Sequence, residues 1–217
     1  MQKLKDTAVL STAYMPNIQY ISKIVLHKEV VIDVHETYLK QSYRNRCEVA
    51  SANGKLDLSI PILKPNGNRT KTRDIQIDYT TNWQKIHWRA IVSAYSSSPF
   101  FEIFEKELAP LYSLKDTLLV DFNTKVLTKL FECIGHTVSL SYSNSYISED
   151  KFTFDFRNSL SPKKRLQRPD NNFKPAPYYQ VFQQKHGFLA NLSFLDLIMN
   201  EGPAALSIIK RSTSTPN

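Results

Sequence analysis

The sequence has few glycines and no glycine-rich phosphate loop. Only 5 of its 217 residues are glycine, and neither G-x-G-x-x-G nor G-x-x-x-x-G-K-[ST] occurs in it. Such motifs allow backbone N–H groups to approach phosphates closely. Their absence argues against a Rossmann-type or P-loop nucleotide site, whereas 11 prolines favour rigid turns.

Cysteine is scarce, and the familiar catalytic and metal-binding motifs are missing. The two cysteines, Cys47 and Cys133, lie far apart beside apolar or strand-like sequence, so they indicate neither a disulfide framework nor a zinc site. There is no H-E-x-x-H motif and no G-x-S-x-G motif. We therefore expect no metal and no cofactor, and the sequence offers no clear nucleophile.

Long apolar runs are absent too. No run approaches the roughly 18 apolar residues that a membrane-spanning helix needs. The apolar run that follows Lys3 and Lys5 covers only residues 8–10, too short for the core of a signal peptide. These features predict a cytoplasmic protein with no membrane span.

Composition indicates one folded unit with an uneven charge. With 41% hydrophobic and 12% aromatic residues, the chain can bury one sizeable core. We expect a single domain over residues 1–210 and a polar tail over residues 211–217. The oligomeric state is left open by the sequence.

The positive charge is concentrated in segments. The net charge is +8, and residues 40–89 carry ten Lys and Arg against four Asp and Glu, whereas residues 101–150 carry four against eight. A segmental surplus attracts anionic molecules. We expect an anionic small-molecule partner such as a sugar nucleotide or acyl donor, and not nucleic acid, because no nucleic-acid-binding motif is present.

The first third of the chain reads as strands joined by one helix. Residues 8–14 and 29–34 have the pattern of strands, and a helix beginning at Pro16 or Asn17 and running to about Leu26 separates them. This order predicts a βαβ unit. Residues 45–52 and 55–63 flank Asn53-Gly54, which predicts a hairpin with a type I′ turn. Residues 75–77 alternate as a short strand.

The rest of the chain is mostly helical. The periodicity predicts helices over residues 82–97, 99–112 and 114–133, then a strand over 137–142 and an irregular stretch over 158–177 that contains a basic loop at 163–168. A last helix starts near Asn191 and stops at Gly202-Pro203. The expected fold class is a mixed α/β or α+β domain: an N-terminal βαβ unit and hairpin, a helical middle and a C-terminal helix.

His87 and Asp196 are the candidate catalytic residues. His87 shares one face of its predicted helix with apolar residues, so it is either a general base at a cleft or a core histidine held by one hydrogen bond. Asp196 fits a capping box with Ser193. If Asn191 is the true cap, Asp196 lies one turn deeper and needs a tertiary donor, for which His87 and Arg46 are the leading candidates.

The segment Arg44-Asn45-Arg46 is the candidate substrate-binding site. In a strand, Arg44 and Arg46 would project to one side and could grip a phosphate or carboxylate. The alternative is a charged edge strand that discourages aggregation. A further aromatic set near the C-terminus, with Tyr178 and Tyr179, reads mainly as core packing.

Several separated blocks resemble one family. They are Tyr43-Arg-Asn-Arg-Cys47 before an Asn-Gly turn, Trp83-Gln-Lys-Ile-His-Trp88, Ala94-Tyr95, Ser98-Pro-Phe-Phe-Glu102 and the stretch from Pro177 to Pro203. In this order and spacing, residues 8–210 resemble the WbqC-like family, bacterial proteins whose genes tend to lie among O-antigen and other surface-polysaccharide genes. Where that family usually opens with a Gln-Pro-x-x-x-Pro-like run and a Gly-Tyr pair, this chain has Thr12-Ala-Tyr-Met-Pro-Asn-Ile-Gln-Tyr20.

The resemblance implies glycan biosynthesis, with acyl or aminoacyl transfer to a sugar as the suggested chemistry. In that hypothesis His87 deprotonates the acceptor, Asp196 orients it and the arginines hold the donor. Tyr95 and Asn191, which lie within the matching blocks, join the predicted substrate-binding residues. The alternative is a protein that binds an anionic glycan precursor or a partner enzyme without chemistry, so whether the chain is an enzyme stays open at this point.

Overall fold

A computed structural model describes residues 4–148, 152–163 and 167–213. Residues 164–166 of the expected basic loop and residues 214–217 of the expected tail therefore lie outside the described residues. The strands are β1 (Leu4–Leu10), β2 (Glu29–Ile32), β3 (Arg46–Ser51), β4 (Gly54–Ser59), β5 (Ile62–Leu63), β6 (Gln76–Ile77), β7 (Ser141–Tyr142) and β8 (Phe152–Asp155). The helices are α1 (Ile18–Leu26), α2 (Trp83–Tyr95), α3 (Phe101–Leu108), α4 (Leu119–Cys133), α5 (Gln183–His186), α6 (Phe194–Glu201) and α7 (Ala205–Arg211).

The predicted βαβ unit is confirmed. Strands β1 and β2 pair in parallel, with Val9 opposite Val31, and α1 connects them. Asn17 caps α1, because its side-chain oxygen accepts a hydrogen bond of 2.9 Å from the backbone N–H of Tyr20. A short polar cap followed by an apolar face thus fixes both the start and the direction of the helix.

The main sheet is parallel and has the strand order β7-β2-β1-β8. The chain moves outward from β1 to β2 and β7, and then returns to place β8 on the other side of β1. The strand order therefore reverses between β1 and β8. In open parallel sheets, ligands bind outside the carboxyl ends of the strands at such a reversal.

The sheet differs from expectation at three strands. β8 was not predicted, and the strand expected at 137–142 is reduced to Ser141–Tyr142. β1 spans Leu4–Leu10 and so ends before residues 11–14, which were expected to belong to it. The chain leaves the sheet there because the backbone N–H of Tyr14 donates to the carbonyl of Tyr43, 2.9 Å away, instead of to a neighbouring strand.

The predicted hairpin is confirmed, but its type I′ turn is wrong. β3 and β4 pair in antiparallel fashion, and Ser51 lies opposite Gly54, so Ala52 and Asn53 form the tip. A type I′ turn needs positive φ at both tip residues. Neither has positive φ, whereas Gly54 has φ of +101°. Gly54 therefore has the positive φ that the sequence pattern predicted for it, but Asn53 does not, and the tip lies one residue earlier than predicted.

The predicted helical middle is confirmed with shorter helices. α2 and α3 lie within the first two predicted ranges, and a 3₁₀ segment over Ala109–Ser113 with a proline in its first turn replaces the end of the second. α4 begins at Leu119 and not at 114. No helix of the described residues is long and apolar enough to cross a bilayer.

The C-terminal helix α6 is the centre of the core. Its residues 194–200 are all buried, and it packs against α1, α3, α4, α7 and strand β3. Gly202 ends α6 with φ of +51°, and a Cβ there would lie 2.3 Å from an atom of the Phe100 ring. The helical structure does not stop at Pro203, however. A 3₁₀ turn over Gly202–Ala204 leads into α7, which sequence reasoning missed.

Replacement of Gly54 should destabilise the hairpin through its backbone alone. No atom lies within 4 Å of a Cβ built at Gly54, so the cost of Gly54→Ala comes from the positive φ and should be about 1–2 kcal/mol. Gly54→Asn should cost less, since asparagine tolerates positive φ better. Urea unfolding of the three proteins measures this; equal stability of wild type and the Ala variant would contradict the assigned turn.

Candidate functional site

Polar and charged residues follow each strand of the parallel sheet. Ser11 and Thr12 follow β1, Asp33 and Glu36 follow β2, Ser143 follows β7 and Arg157 follows β8. All six side chains are buried. Because the carboxyl ends of parallel strands meet at one edge, these residues gather where the strand order reverses. We refer to this region as the carboxyl edge.

Arg157 is held between two carboxylates. Its Nη1 lies 2.5 Å from Oδ2 of Asp33, and its Nη2 lies 2.5 Å from Oδ2 of Asp155. Burial opposes the charge of the guanidinium, but hydrogen bonds and attraction from Asp155 and Asp33 outweigh it and raise the pKa of Arg157. The three residues form a fixed ionic cluster that links β2 to β8.

Asp33 extends this cluster to the remaining edge strand. The hydroxyl of Ser143, which follows β7, donates to Oδ1 of Asp33 at 2.8 Å and accepts from the backbone N–H of Val34 at 3.2 Å. Nη1 of Arg157 also donates to the carbonyl of Ile147 at 2.7 Å. Asp33 is fully buried, so its charge is balanced by these side-chain donors together with two backbone N–H groups.

Arg44 forms a second buried ion pair. Its Nε and Nη2 donate to the two oxygens of Glu36 at 2.8 and 2.6 Å, and Nη2 also donates to the hydroxyl of Ser11 at 2.8 Å. This is the forked geometry in which guanidinium and carboxylate interact most strongly. The pair connects the start of the segment that follows β2 to the turn that precedes β3.

The expected pairing of Arg44 and Arg46 on one strand face is wrong. β3 begins only at Arg46, and Arg44 lies in the preceding turn, where strand alternation does not apply. Arg44 points into the carboxyl edge and is 3% exposed, whereas Arg46 is partly exposed and lies 3.6 Å from Asp57 of β4. The two guanidiniums therefore have different partners and different surroundings.

The carboxyl edge opens into a cleft of about 290 Å³. We name it the carboxyl-edge cleft, and its lining is Glu36, Thr37, Lys71, Tyr146, Arg157 and Asn158. The Tyr146 ring covers the guanidinium of Arg157 at 5.3 Å. In and beside the cleft, three cations (Lys71, Arg157 and Arg44) are balanced in number by three carboxylates, those of Glu36, Asp33 and Asp155. The cleft thus offers fixed donors and acceptors with little net charge.

A second cleft of about 300 Å³ lies on the other side of the segment 36–46. We name it the basic cleft, and its lining is Tyr38, Lys40, Gln41, Asn45, Arg46, Ser59, Ile62 and Lys64. Two predicted substrate-binding residues, Asn45 and Arg46, meet here. Three of the lining residues are cationic and none is acidic.

His87 lies among aromatic rings and not in either cleft. Its Nδ1 is 3.0 Å from the hydroxyl of Tyr14, which is 3.0 Å from the hydroxyl of Tyr112. The rings of Trp83 and Tyr14 pack against the imidazole. Burial lowers the pKa of His87 to about 4, so the ring is neutral at physiological pH. The structure thus gives His87 the surroundings of a core histidine.

Asp196 is fully buried and is paired with neither His87 nor Arg46. The Tyr178 hydroxyl donates to its Oδ2 at 2.6 Å, and the Gln180 amide donates to the same oxygen at 3.1 Å. Ser193 does cap α6, but it accepts from the N–H of Leu195, and its own N–H donates to the carbonyl of Glu48. The capping box is therefore not formed, and the acid turns to tertiary donors instead.

The Asp196 carboxyl has one oxygen with no hydrogen-bond partner of good geometry. Oδ1 is buried and unpaired among the described residues, although the hydroxyl of Tyr95 lies near enough to favour the charged form. Burial outweighs the donors and raises the pKa of Asp196 to about 6.

Tyr95 and Asn191 serve as structural links in this arrangement. The Tyr95 hydroxyl accepts from the backbone N–H of Ala50 at 3.3 Å, which joins α2 to β3. Asn191 has φ of +58°, and its side-chain oxygen accepts from the backbone N–H of Gln19 at 2.9 Å, which joins the C-terminal segment to α1. Neither residue lines the carboxyl-edge cleft or the basic cleft.

Sequence reasoning missed the residues of the carboxyl edge. Asp33, Glu36 and Arg157 were not among the candidates, although a usable signal exists for two of them. Asp33 and Glu36 directly follow an apolar strand of a βαβ unit, the position where parallel sheets place ligand-binding groups. Arg157 had no such signal, since β8 was not predicted. Within the described residues, no three His, Cys, Asp or Glu side chains are arranged to hold a metal ion.

The loss of folding stability should differ sharply between Arg44→Ala and Arg46→Ala. Arg44→Ala leaves Glu36 buried without its partner and should cost about 3–5 kcal/mol. Arg46→Ala removes only a partly exposed ion pair with Asp57 and should cost about 0–1 kcal/mol. Urea unfolding measures both values. Equal losses would contradict the buried pairing, and the double change Arg44→Met with Glu36→Leu should recover most of the stability.

Asp196 should make stability fall as pH rises through the window from about 4 to about 6. Its pKa in the folded protein is about 6, against an ordinary value of 3.8, so the folded state binds more protons within that window. The loss relative to Asp196→Asn should approach about 1.4 kcal/mol per pH unit. Urea unfolding of both proteins from pH 4 to pH 7 tests this, and parallel curves would contradict it.

A second variant checks the cause of that pH dependence. The Tyr178 hydroxyl favours the charged form of Asp196. Tyr178→Phe should therefore raise the pKa of Asp196 further and extend the upper end of the window of falling stability to higher pH, while its lower end stays near the ordinary pKa. An unchanged window would show that Tyr178 does not donate to the carboxylate.

Comparisons with known proteins identify the family. The profile of the WbqC-like protein family matches residues 12–163, which include both clefts' described lining but not the block from Pro177 to Pro203. The uncharacterized protein Rv1507c of Mycobacterium tuberculosis (strain ATCC 25618 / H37Rv) is 28% identical over 144 residues, which cover 66% of this chain and 62% of that protein. No solved structure matches the chain. The chain belongs to the WbqC-like protein family.

Proposed function

We propose that the protein binds a hydroxyl-rich sugar precursor of surface-polysaccharide biosynthesis in the carboxyl-edge cleft. The observation that carries this proposal is the cleft's position at the reversal of strand order, with buried charged groups fixed around it. The biosynthetic context comes from the family resemblance. The proposal keeps the cytoplasmic location expected from the sequence.

The chemistry of the cleft suits a neutral polar ligand. Arg157 and Glu36 are held by their own ion partners, so their remaining donor and acceptor positions are fixed in space. Hydroxyl groups can both donate and accept hydrogen bonds, and a cleft with balanced charge does not force a net charge on them. Tyr146 is 53% exposed and offers a flat apolar face with a polar tip, suited to a sugar ring.

Transfer of an acyl or aminoacyl group to that sugar is the second candidate function. It is favoured by His35, a partly exposed imidazole at the same edge, whose ring nitrogens lie 3.4 Å from Nη1 of Arg73. In such a reaction a sugar hydroxyl or amine attacks the acyl carbonyl, the bond to the donor's leaving group breaks, and His35 accepts the proton. His87 and Asp196 would need a local opening to take part, because each is buried among its own partners.

The binding proposal predicts how much a ligand should stabilise the protein and which variants should weaken its binding. In a thermal-shift screen with sugar nucleotides, acyl-CoA and aminoacyl compounds, a ligand at about 100 times its dissociation constant should add roughly 2.7 kcal/mol of stability. Tyr146→Ala and Lys71→Ala should weaken that ligand about tenfold with little effect on the apo protein, because both side chains are exposed. Lys85→Ala, an exposed lysine on α2, is the matched control.

Two results separate the candidate functions. If the cleft variants bind as tightly as wild type, the carboxyl-edge cleft is not the site. If a bound donor and acceptor react, His35→Gln should abolish turnover and leave affinity intact, which would favour the transferase. Ligand binding without turnover in the wild type would favour the non-catalytic alternative.

A further inference from the structure

The basic cleft carries positive charge that its described surroundings do not neutralise. Its lining includes Lys40, Arg46 and Lys64 and no acidic residue. Arg46 has only a long contact of 3.6 Å to Asp57, which is itself half-exposed. Lys64 donates to the neutral side chain of Asn68 at 3.2 Å. The neighbouring amino group of Lys40, together with desolvation, lowers the pKa of Lys64, as expected for two cationic groups close together.

The floor of the basic cleft is neutral and firmly built. The hydroxyl of Tyr38 donates to Oδ1 of Asn45 at 2.8 Å, and Nδ2 of Asn45 donates to the carbonyl of Ile60 at 2.8 Å. The backbone N–H of Ile60 returns a hydrogen bond to the carbonyl of Asn45, again at 2.8 Å. Burial raises the pKa of Tyr38 to about 12, so its hydroxyl keeps its proton. This floor fixes where Arg46 enters the cleft.

The backbone beside Lys40 is fixed in an uncommon conformation. Gln41 has φ of +54°, which residues other than glycine adopt in only a few per cent of cases. The hydroxyl of Ser42 donates to the carbonyl of Leu39 at 2.6 Å and closes the turn. The fold therefore holds this turn in a defined shape, and the turn presents Lys40 to the cleft.

We propose that the basic cleft binds a phosphate or diphosphate group. Three cations, of which only Arg46 has an acidic contact among the described residues, match a ligand with two or more negative charges better than a single carboxylate. Arg46 can bind phosphate oxygens through two N–H groups, and the lysines act as point charges beside it. The carboxyl-edge cleft differs in having its charges balanced. The inference deepens the proposed function, since it names phosphate as the anionic part of the sugar precursor.

Calorimetric titration with inorganic pyrophosphate at low ionic strength tests the proposal. Wild type should bind, and Lys40→Ala and Lys64→Ala should each weaken binding about tenfold, with a larger loss in the double variant. Lys64→Arg, which keeps the charge, should retain most of the affinity. Lys85→Ala should bind like wild type. Lys40 is exposed and Lys64 is partly exposed, so these variants should stay folded. Circular dichroism of each variant checks this.

The same titration includes the outcomes that would overturn the proposal. No binding by wild type at millimolar pyrophosphate, or equal binding by the double variant, would remove phosphate from the basic cleft. A nucleoside diphosphate that binds more tightly than pyrophosphate would identify a nucleotide-linked precursor. Equal affinities would identify the phosphate group alone as what the cleft recognises.

A separate variant distinguishes this inference from the proposed function. Tyr146→Ala should leave pyrophosphate binding unchanged, because Tyr146 lines the carboxyl-edge cleft and not the basic cleft. Loss of pyrophosphate binding in that variant would contradict the assignment to the basic cleft. If instead Tyr146→Ala changes neither the affinity for pyrophosphate nor the affinity for sugar precursors, only the proposed sugar site is contradicted.

Discussion

The ion cluster around Arg157 is the constraint on which the parallel sheet and its clefts depend. A buried guanidinium or carboxylate is tolerated only when partners balance its charge, and here Arg157, which follows β8, pairs with Asp33 after β2 and with Asp155 at the end of β8. Asp33 also binds Ser143 beyond β7. The requirement to pair these charges sets β8 beside β1, in a sheet whose strands come from opposite ends of the first 155 residues.

The elements predicted correctly are those whose signals are local. The Asn17 side chain caps α1 by a contact with Tyr20, three residues away. The hairpin follows from two short strands and a glycine beside them. In both cases, contacts between near neighbours in the sequence are sufficient. The turn type was wrong because the tip lies one residue earlier than predicted, at Ala52 and Asn53, so Gly54 has its positive φ beside the tip and not within it. β8 was missed although Phe152-Thr-Phe-Asp155 alternates apolar and polar residues, because a run of four is short and its pairing is set by contacts far along the chain.

The candidate site was harder to predict than the fold for a similar reason. Arg157 and Asp33 are 124 residues apart, so no spacing in the sequence brings them together. For His87, the helical periodicity correctly indicated an inward face, but that face meets Tyr14 and Trp83 instead of a cleft. Arg44 and Arg46 were placed on one face because strand alternation was assumed before β3 begins. Asn45 and Arg46 do reach a cleft, and it is a different one from that beside Arg44.

The segment 36–46 contributes residues to both clefts. Thr37 lines the carboxyl-edge cleft, and the next residue, Tyr38, lines the basic cleft. The ion pair of Glu36 with Arg44 closes this segment at both ends, and the backbone N–H of Tyr38 donates to the carbonyl of Thr70 and anchors its middle. Because the pair is buried and bidentate, we expect a shift of the segment at one cleft to strain its contacts at the other. We therefore expect a ligand that orders Lys40 and Arg46 also to steady Glu36 and Thr37, so that the proposed precursor, with a charged end and a hydroxyl-rich end, would bind one preorganised surface.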